Sequence, residues 1–263
     1  MYQASNETFL LMQGRFLVKI AETRKELEQA LRLRYEVFNV ELNAGLSTSH
    51  INRLDTDEYD KYCDHLIVVD TAIKRVVGTY RLLLGHVAEF NIGYYSENEF
   101  DLGNIRKLEG EKLELGRSCV HRDYRTAQVI NLLWAGIARY VDRYDVRYLF
   151  GCASLYSSAP EEINRVHSFF NSRHRAAPSE EVFPLRRIAG LQQVVVEDCK
   201  AVLKSLPPLI KGYMGLGATV CGEPAYDPIF RTTDFFVLLE TNRILSRYRR
   251  RFFHEEEVLC PAS

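Results

Sequence analysis

The stretch LELGRSCV, residues 113–120, carries Glu114 and Arg117 on either side of Gly116 inside a run that otherwise reads as a core strand. In a regular strand Glu114 and Gly116 share one face and Arg117 points to the other. A bulge at Gly116 adds one residue, changes the phase and lets both charged side chains reach one cleft. It also frees a backbone N–H near Gly116 to Ser118, and such a group can stabilise an oxyanion. These residue types in this order suit chemistry at a carbonyl.

Other charges break apolar patterns. Leu27, Leu31, Arg34 and Phe38 fall on one helical face, which sets a cation on an apolar stripe. Arg34 either snorkels to the edge or enters a polar site beneath the helix. Arg81 interrupts VVGTYRLLL, either at an edge facing water or at the same site. The segment LDTDEYDKYCDHL supplies Asp55, Asp57, Asp60, Asp64 and His65. Clustered carboxylates suit a hard cation, but the glycine and terminal glutamate of a calcium loop are missing. No metal is expected. A solvated acidic loop is the plain reading, and a loop that contacts Arg34, Arg81 or a charged substrate is the alternative. VHRDYRTAQV, 120–129, leads from strand to helix through a basic turn. Backbone N–H groups at a helix N-terminus, with Arg122 and Arg125 beside them, make an anion site. A charged loop capped by Thr126 is the plain alternative.

The elements around these residues are legible by period. FLVKI, 16–20, reads as a strand, and a helix runs from about Thr23 to Glu41, with Thr23 and Glu26 spaced as a capping box. Residues 41–64 form a long polar loop, of the kind that is usually functional or mobile. HLIVVD, 65–70, and RVVGTYRLLL, 75–84, form a hairpin. After an irregular section and the 113–120 strand come a helix over 126–144, a strand over 146–154 and a helix from Pro160. Leu206 to Leu216 is helical after two prolines, and FFVLLE, 235–240, is a strand. The order predicts an α+β fold, a central mixed twisted sheet flanked by helices, rather than a βαβ series.

With 263 residues, 46% hydrophobic and 26% charged, the chain reads as one soluble globular domain over 1–263. Its core spans about 15–177, a C-terminal part about 178–248, and a basic tail 243–263. The net charge of −1 gives nucleic acid no support as a partner. No apolar run reaches the roughly 20 residues of a membrane span. MYQASNETFLLMQGRF lacks the regions of a signal peptide, so a cytoplasmic location is expected. The six cysteines show no zinc spacing and read as reduced thiols.

Taken in order, RYEVF, the pair Asp57 and Asp60, the strand arginine Arg81, and E-x-x-R at Glu114 and Arg117 resemble the autoinducer synthases of the GNAT superfamily, which form acyl-homoserine lactones. A closer resemblance is to bacterial L-ornithine N-acyltransferases, which make lyso-ornithine lipid. It is carried by RLRYEVF, CDHLIVVD, VVGTYRLL, YYSENEFDL, LELGRSCVHRDYRT, LLWAGIARY, RYLFGCAS, LPPLIKGYMGLGA and DPIFRTTDFFVLL, and covers about residues 15–248. Two features depart. The tryptophan that the autoinducer synthases carry after the arginine–phenylalanine pair is missing, and Trp134 is the chain's single Trp. Arg122 and Ala127 stand where the lipid branch usually has proline and glycine in V-H-P-D-Y-R-T-G.

The resemblance implies that Arg34, Arg81, Glu114 and Arg117 are catalytic, with Phe38, Asp57 and Asp60 in a network that orders the loop. It implies a 3-hydroxyacyl chain delivered as a thioester on the 4′-phosphopantetheine of acyl carrier protein, with no cofactor bound by the chain itself. The α-amine of an amino acid, ornithine favoured, attacks the thioester carbonyl. Glu114 takes the proton directly or through water, and a backbone N–H near Gly116 or Ser118 holds the oxyanion. The arginines either order the loop or bind the substrate carboxylate. A nucleophilic Cys119 has no His/Asp partner pattern behind it. Arg122, Arg125 and Thr126 are the expected phosphopantetheine or carrier contacts, with Arg139, Arg143 and Arg147 nearby. Ornithine's distal ammonium wants a carboxylate, for which Asp227 and Asp234 are candidates. RILSRYRRRFF suits peripheral contact with the inner membrane, or is an ordinary charged tail. Glycine or tyrosine as the acyl acceptor, or a non-catalytic carrier- or lipid-binding module, are the other readings.

Overall fold

The computed structural model describes residues 10–244. β1 (Leu10–Gln13) and β2 (Phe16–Ile20) form an opening hairpin. The capping box forms as expected: Glu26 N donates to Thr23 Oγ1 at 3.2 Å and Thr23 N donates to Glu26 Oε2 at 3.1 Å. It starts α1 (Arg24–Tyr35). The helix expected to reach Glu41 changes character after Tyr35, because residues 36–41 wind as a π-helix. Leu42 N bonds Val37 O, five residues back, and Asn39 Nδ2 bonds Leu46 O, so the widened turn is held by the loop that follows it.

The polar connection contains α2 (Ser49–Asn52) and a 3₁₀ turn at 58–61. The expected hairpin is β3 (Asp64–Asp70) with β4 (Arg75–Leu84). The irregular section resolves into α3 (Gly85–Phe90), a 3₁₀ turn at 95–98, β5 (Phe100–Asp101) and α4 (Gly103–Arg106). Then follow β6 (Glu111–Val120), α5 (Ala127–Tyr144), β7 (Val146–Leu155) and α6 (Pro160–Arg173). The C-terminal part holds β8 (Phe183–Pro184), which pairs with β5, then α7 (Cys199–Ser205), α8 (Pro208–Leu216), β9 (Thr219–Val220), β10 (Ala225–Asp227) and β11 (Thr232–Glu240). The basic tail expected over 243–263 is described only to Ile244, and the arginines of RILSRYRRRFF after Arg243 lie outside the described residues.

The main sheet runs β1-β2-β3-β4-β6-β7-β11-β10, with β9 also on β11. It is mixed: β6 and β7 are parallel and the other pairs antiparallel. β11 pairs along β7 from Thr233↔Leu155 to Glu240↔Tyr148, so the C-terminal part completes the same sheet. Side-chain alternation along β3 builds two layers. Leu66 and Val68 join Val129, Leu133 and Ile137 of α5 on one face, and Ile67 joins Ala30 and Leu33 of α1 on the other. No helix among the described residues is long and apolar enough to cross a membrane.

Two irregularities open this sheet. The β6–β7 ladder ends at Glu114↔Phe150, although β6 stays with β4 to Val120 and β7 stays with β11 to Leu155. The strands part because each follows its outer neighbour. Gly151 lies at the fork, where a Cβ would collide with the carbonyl oxygen of Leu115. The second irregularity is a bulge. Arg81 faces Gly116 and Thr79 faces Cys119, so Arg117 and Ser118 together face Tyr80. The bulge expected at Gly116 therefore falls one residue later, on Arg117, which sits in the left-handed region at φ 49. Such a conformation costs a non-glycine residue about 1–2 kcal/mol, so the contacts of its side chain must hold it.

Candidate active site

The fork opens a cavity of about 420 Å³. Its walls change character from one end to the other. Leu115, Ile130, Leu133, Trp134, Ile210 and Tyr213 line an apolar end, closed by Pro207 and Pro208 ahead of α8. Arg81, Tyr95, Ser96, Glu99, Glu114, Arg117, Ser154, Asp227 and Asp234 line a polar end. A site shaped this way suits an amphiphile, with a hydrocarbon chain at one end and a small polar molecule at the other.

Glu114 and Arg117 do reach this one cleft. The Glu114 carboxylate is 4% exposed and accepts three hydrogen bonds. Ser96 N and Ser96 Oγ donate to Oε1 at 2.7 and 2.5 Å, and Tyr95 N donates to Oε2 at 2.7 Å. Burial raises its pKa above the ordinary carboxylate value, against the lowering effect of those donors. A carboxylate oxygen accepts about two bonds, so Oε1 is filled and Oε2 keeps a lone pair. That leaves Oε2 as the atom that can take a proton.

Arg34, Arg81 and Arg117 meet Asp55, Asp57 and Asp60 in one buried network. Arg34 donates to Asp55 Oδ1 at 2.5 and 2.9 Å and to Asp60 Oδ1 at 2.7 Å. Arg81 Nη1 donates to both oxygens of Asp57 at 2.6 and 2.7 Å, and Arg117 reaches Asp55 and Asp57 at 3.3 and 3.1 Å. Asp57 also caps the 58–61 turn through Tyr59 N. Three cations balance three anions, so the set accounts for its own charge and fixes the 41–63 connection. Against the burial penalty, the neighbouring guanidiniums hold Asp55 and Asp60 below the usual carboxylate range. The acidic loop thus contacts arginines, and it is neither solvated nor arranged as a metal loop. Asp64 turns away to accept a bond from Tyr140 Oη at 2.7 Å, and His65 is buried beside Asp60.

The seven proposed network and catalytic residues do not all touch the cavity. Arg34 is fully buried among aspartates and is absent from the cavity wall, as are Asp57 and Asp60. Arg81 and Arg117 line it. Arg117 is held between the Tyr95 and Phe230 rings, 4.7 and 4.5 Å from their centroids, and this clamp fixes its left-handed backbone. Phe38, turned by the π-helix, packs edge-on to Phe230 and lines the rim. Gly116 and Ser118 lie at the bulge on the wall. A methyl group on Gly116 would make only ordinary contact with Arg81, so the glycine is needed neither for backbone shape nor for clearance. Cys119 is buried and its thiol is pushed up by desolvation, which opposes thiolate formation.

The basic turn is exposed at the α5 N-terminus, where Thr126 Oγ1 caps Val129 N. Arg122 is exposed. Arg125 lies at the cavity mouth, gripped by Glu41 at 2.6 and 2.7 Å. Arg143 and Arg147 lie at the other end of α5, about 26 Å away by helix rise, so the five arginines do not form one patch.

Sequence reasoning missed several lining groups. Tyr95, Ser96 and Glu99 come from YYSENEF, where polar and aromatic residues without period in an irregular section were the available signal. Trp134 and Tyr213 lie in stretches expected to be helical and had no site role. Tyr80 Oη, pushed up to about 12 by burial, contacts Tyr213 Oη at 3.2 Å on the apolar wall. Asp227 and Asp234, named without a place, are both on the polar wall.

Residues 33–135 match the acetyltransferase (GNAT) domain. The chain is 36% identical over 246 residues to an L-ornithine N(alpha)-acyltransferase of Brucella abortus (strain 2308), covering 89% of this chain and 88% of that protein. It is 38% identical over 241 residues to an L-ornithine N(alpha)-acyltransferase of Rhizobium meliloti (strain 1021), covering 88% and 81%. Among solved structures, an N-acyl amino acid synthase from uncultured soil microbes aligns with a TM-score of 0.52 at 10% identity, over 87% of this chain and 92% of that one. The AHL synthase LasI aligns with a TM-score of 0.52 at 12% identity, over 90% and 94%. The structural likeness carries the fold, which is the expected GNAT type.

Proposed function

The chain belongs to the L-ornithine N(alpha)-acyltransferase family, and on that premise we propose that it transfers a 3-hydroxyacyl chain from acyl carrier protein to the α-amine of L-ornithine, giving lyso-ornithine lipid. The observation that carries this reading is the two-ended cavity at the β6–β7 fork. Its apolar end suits the acyl chain. Past Glu114↔Phe150 the facing edges of the two strands are unpaired with each other, and a pantetheine arm carries amides that can bond such edges. The arm arrives as part of the donor.

In this reading the amine approaches between Glu114 and the bulge. An amine is mostly protonated near neutral pH, so it must lose a proton to act as a nucleophile. Glu114 Oε2 takes that proton directly or through one water. Nitrogen attacks the thioester carbonyl, and a backbone N–H of the Gly116–Ser118 bulge faces the oxyanion. The C–S bond then breaks. The proton that Glu114 took passes to the departing thiolate, and the nitrogen of the new amide loses its second proton to Glu114 or to water. Arg117 has the longest contacts of the three arginines and lines the cavity, so it is the guanidinium that an α-carboxylate can reach. Arg34 and Arg81 act on the reaction by holding the loop. Arg122, Arg125 and Thr126 remain the proposed carrier-side contacts, since Arg125 lines the cavity and the other two stand with it at the α5 N-terminus.

Incubating the protein with 3-hydroxyacyl carrier protein and a panel of amino acids, followed by mass spectrometry, tests this function. The expected product is N-acyl ornithine. Product with glycine or tyrosine but not ornithine moves the chain to another acceptor, and no product with any amino acid removes the enzyme reading.

A further inference from the structure

Beyond Glu114 the polar end of the cavity finishes in carboxylates that the chemistry at the carbonyl does not use. Glu99 is 2% exposed and neither of its oxygens accepts a hydrogen bond from the backbone or from a cation; its polar neighbours are Asp234 and Cys152. Asp234 is 3% exposed and its Oδ1 likewise meets no backbone or cationic donor, while Oδ2 accepts Ser154 Oγ at 3.2 Å. Carboxylate oxygens of the two lie within 4.8 Å of each other, with Cys152 Sγ in the same group. Asp227, on β10, stands beside them and lines the cavity. Its Oδ1 is occupied by Ile229 N and Phe230 N. No lysine, arginine or histidine among the described residues pairs with Glu99 or Asp234. An unpaired buried carboxylate costs several kcal/mol, so these groups are held either by a proton or by a cation that enters the cavity. Burial, reinforced by the neighbouring carboxylates, pushes Glu99 and Asp234 upward, so in the empty cavity a proton occupies the place of that cation.

The position relative to Glu114 sets what the cation is. Ser96 Oγ donates to Glu114 Oε1 at 2.5 Å, and Cys152 Sγ donates to Ser96 Oγ at 3.4 Å. Cys152 is thus two hydrogen-bonded steps from the proposed base, and the Glu99 and Asp234 carboxylates lie within 4.8 Å of its sulfur, a spacing that a three-carbon side chain can bridge. We propose that Glu99 and Asp234, with Asp227 alongside, form the receptor for the distal ammonium of a diamino-acid substrate and so select ornithine over neutral amino acids. The inference deepens the proposed function and rests on it. It adds Glu99, which had no assigned role, and gives Asp227 and Asp234 their place. Glycine or tyrosine would leave these carboxylates buried without a partner, which a polar site rejects strongly.

The test compares ornithine with norvaline, which keeps the α-carbon and the chain but lacks the ammonium. The quantity read is the ratio of kcat/KM for the two amino acids with 3-hydroxyacyl carrier protein, in the intact enzyme and in the Glu99→Gln and Asp234→Asn variants. The expected result is a strong preference for ornithine that falls by at least about 100-fold in each variant. Ornithine, and not norvaline, should also raise the melting temperature of the intact enzyme, a readout free of catalysis. A ratio unchanged in both variants overturns the inference, and so does a parallel loss of both substrates in both variants, which would mark the trio as structural. One metal ion per chain in the purified enzyme, lost in Glu99→Gln, overturns it too. An enzyme that acylates norvaline as well as ornithine sinks this subsite alone, whereas one that acylates no amino acid sinks the proposed function together with it.

Discussion

Glu114→Gln is expected to lower kcat with ornithine by about 10²–10⁴-fold, the usual contribution of a positioned base. The pH profile decides whether that loss is chemical. Glu114 must be ionised to accept a proton, so the rate of the intact enzyme falls as pH drops through its pKa. Burial places that pKa above the ordinary carboxylate value, so the fall begins at higher pH than a surface glutamate would give. The variant has no such group, and this limb disappears. The limb contributed by the substrate's own amine, with a pKa of about 8, stays in both. The distinction matters because Glu114 also receives Tyr95 N, Ser96 N and Ser96 Oγ. A glutamine turns an NH₂ group toward one of those donors and disturbs the 95–98 turn. Damage of that kind lowers the rate at every pH and leaves the profile's shape unchanged. A variant with a lower plateau and an intact acidic limb would show Glu114 to be a structural anchor, and wild-type rates across pH would remove it from the mechanism.

Arg34→Met is expected to act through stability. It removes the guanidinium from Asp55 and Asp60 without opening a large void. Asp55 is fully buried, its Oδ2 already has no partner, and among the described residues its remaining cation is Arg117, with Nε at 3.3 Å. Stranding one side of a buried pair costs about 3–5 kcal/mol, which for a chain of this length lowers the melting temperature by roughly 6–20 °C. The 41–63 connection should lose amide protection first, because Asp57 and Asp60 anchor it. Thermal melts and hydrogen exchange on the variant check both statements. A melting temperature within a degree or two of the wild type would show that the network is dispensable for the fold. Arg117→Met should give the opposite balance, with the smaller stability loss and the larger loss of activity, because its contacts are longer and its side chain faces the cavity.

The contrast between those arginines shows what the sequence could and could not reveal. Helical spacing put Arg34 on an apolar face, and the structure explains why: the stripe continues down to Asp55 and Asp60, which arrive from more than twenty residues away. Spacing alone left snorkelling and burial equally open, since the deciding partners lie on a loop without period. The strand 113–120 was legible with its irregularity, but the phase shift belongs to Arg117, whose strain is held by Tyr95 and Phe230 from distant segments. Glu99 was invisible for the same reason. It sits between the 95–98 turn and the two-residue strand β5, and only the register of β11 against β7, Asp234 opposite Ser154, brings it a carboxylate neighbour. Local pattern identifies which residues are out of place, and long-range pairing decides what they are for. The wide π-helical turn belongs to this second kind too, because Leu46, from the loop, holds it open.

The most direct measurement locates the acyl group on the product. Ornithine offers two amines to one thioester. With its distal ammonium at Glu99 and Asp234, only the α-nitrogen lies beside Glu114 and the bulge. Tandem mass spectrometry of the product formed from ornithine and 3-hydroxyacyl carrier protein is predicted to place the acyl chain on the α-nitrogen alone. Acylation of the distal nitrogen, or a mixture of the two, would contradict the orientation on which this account rests.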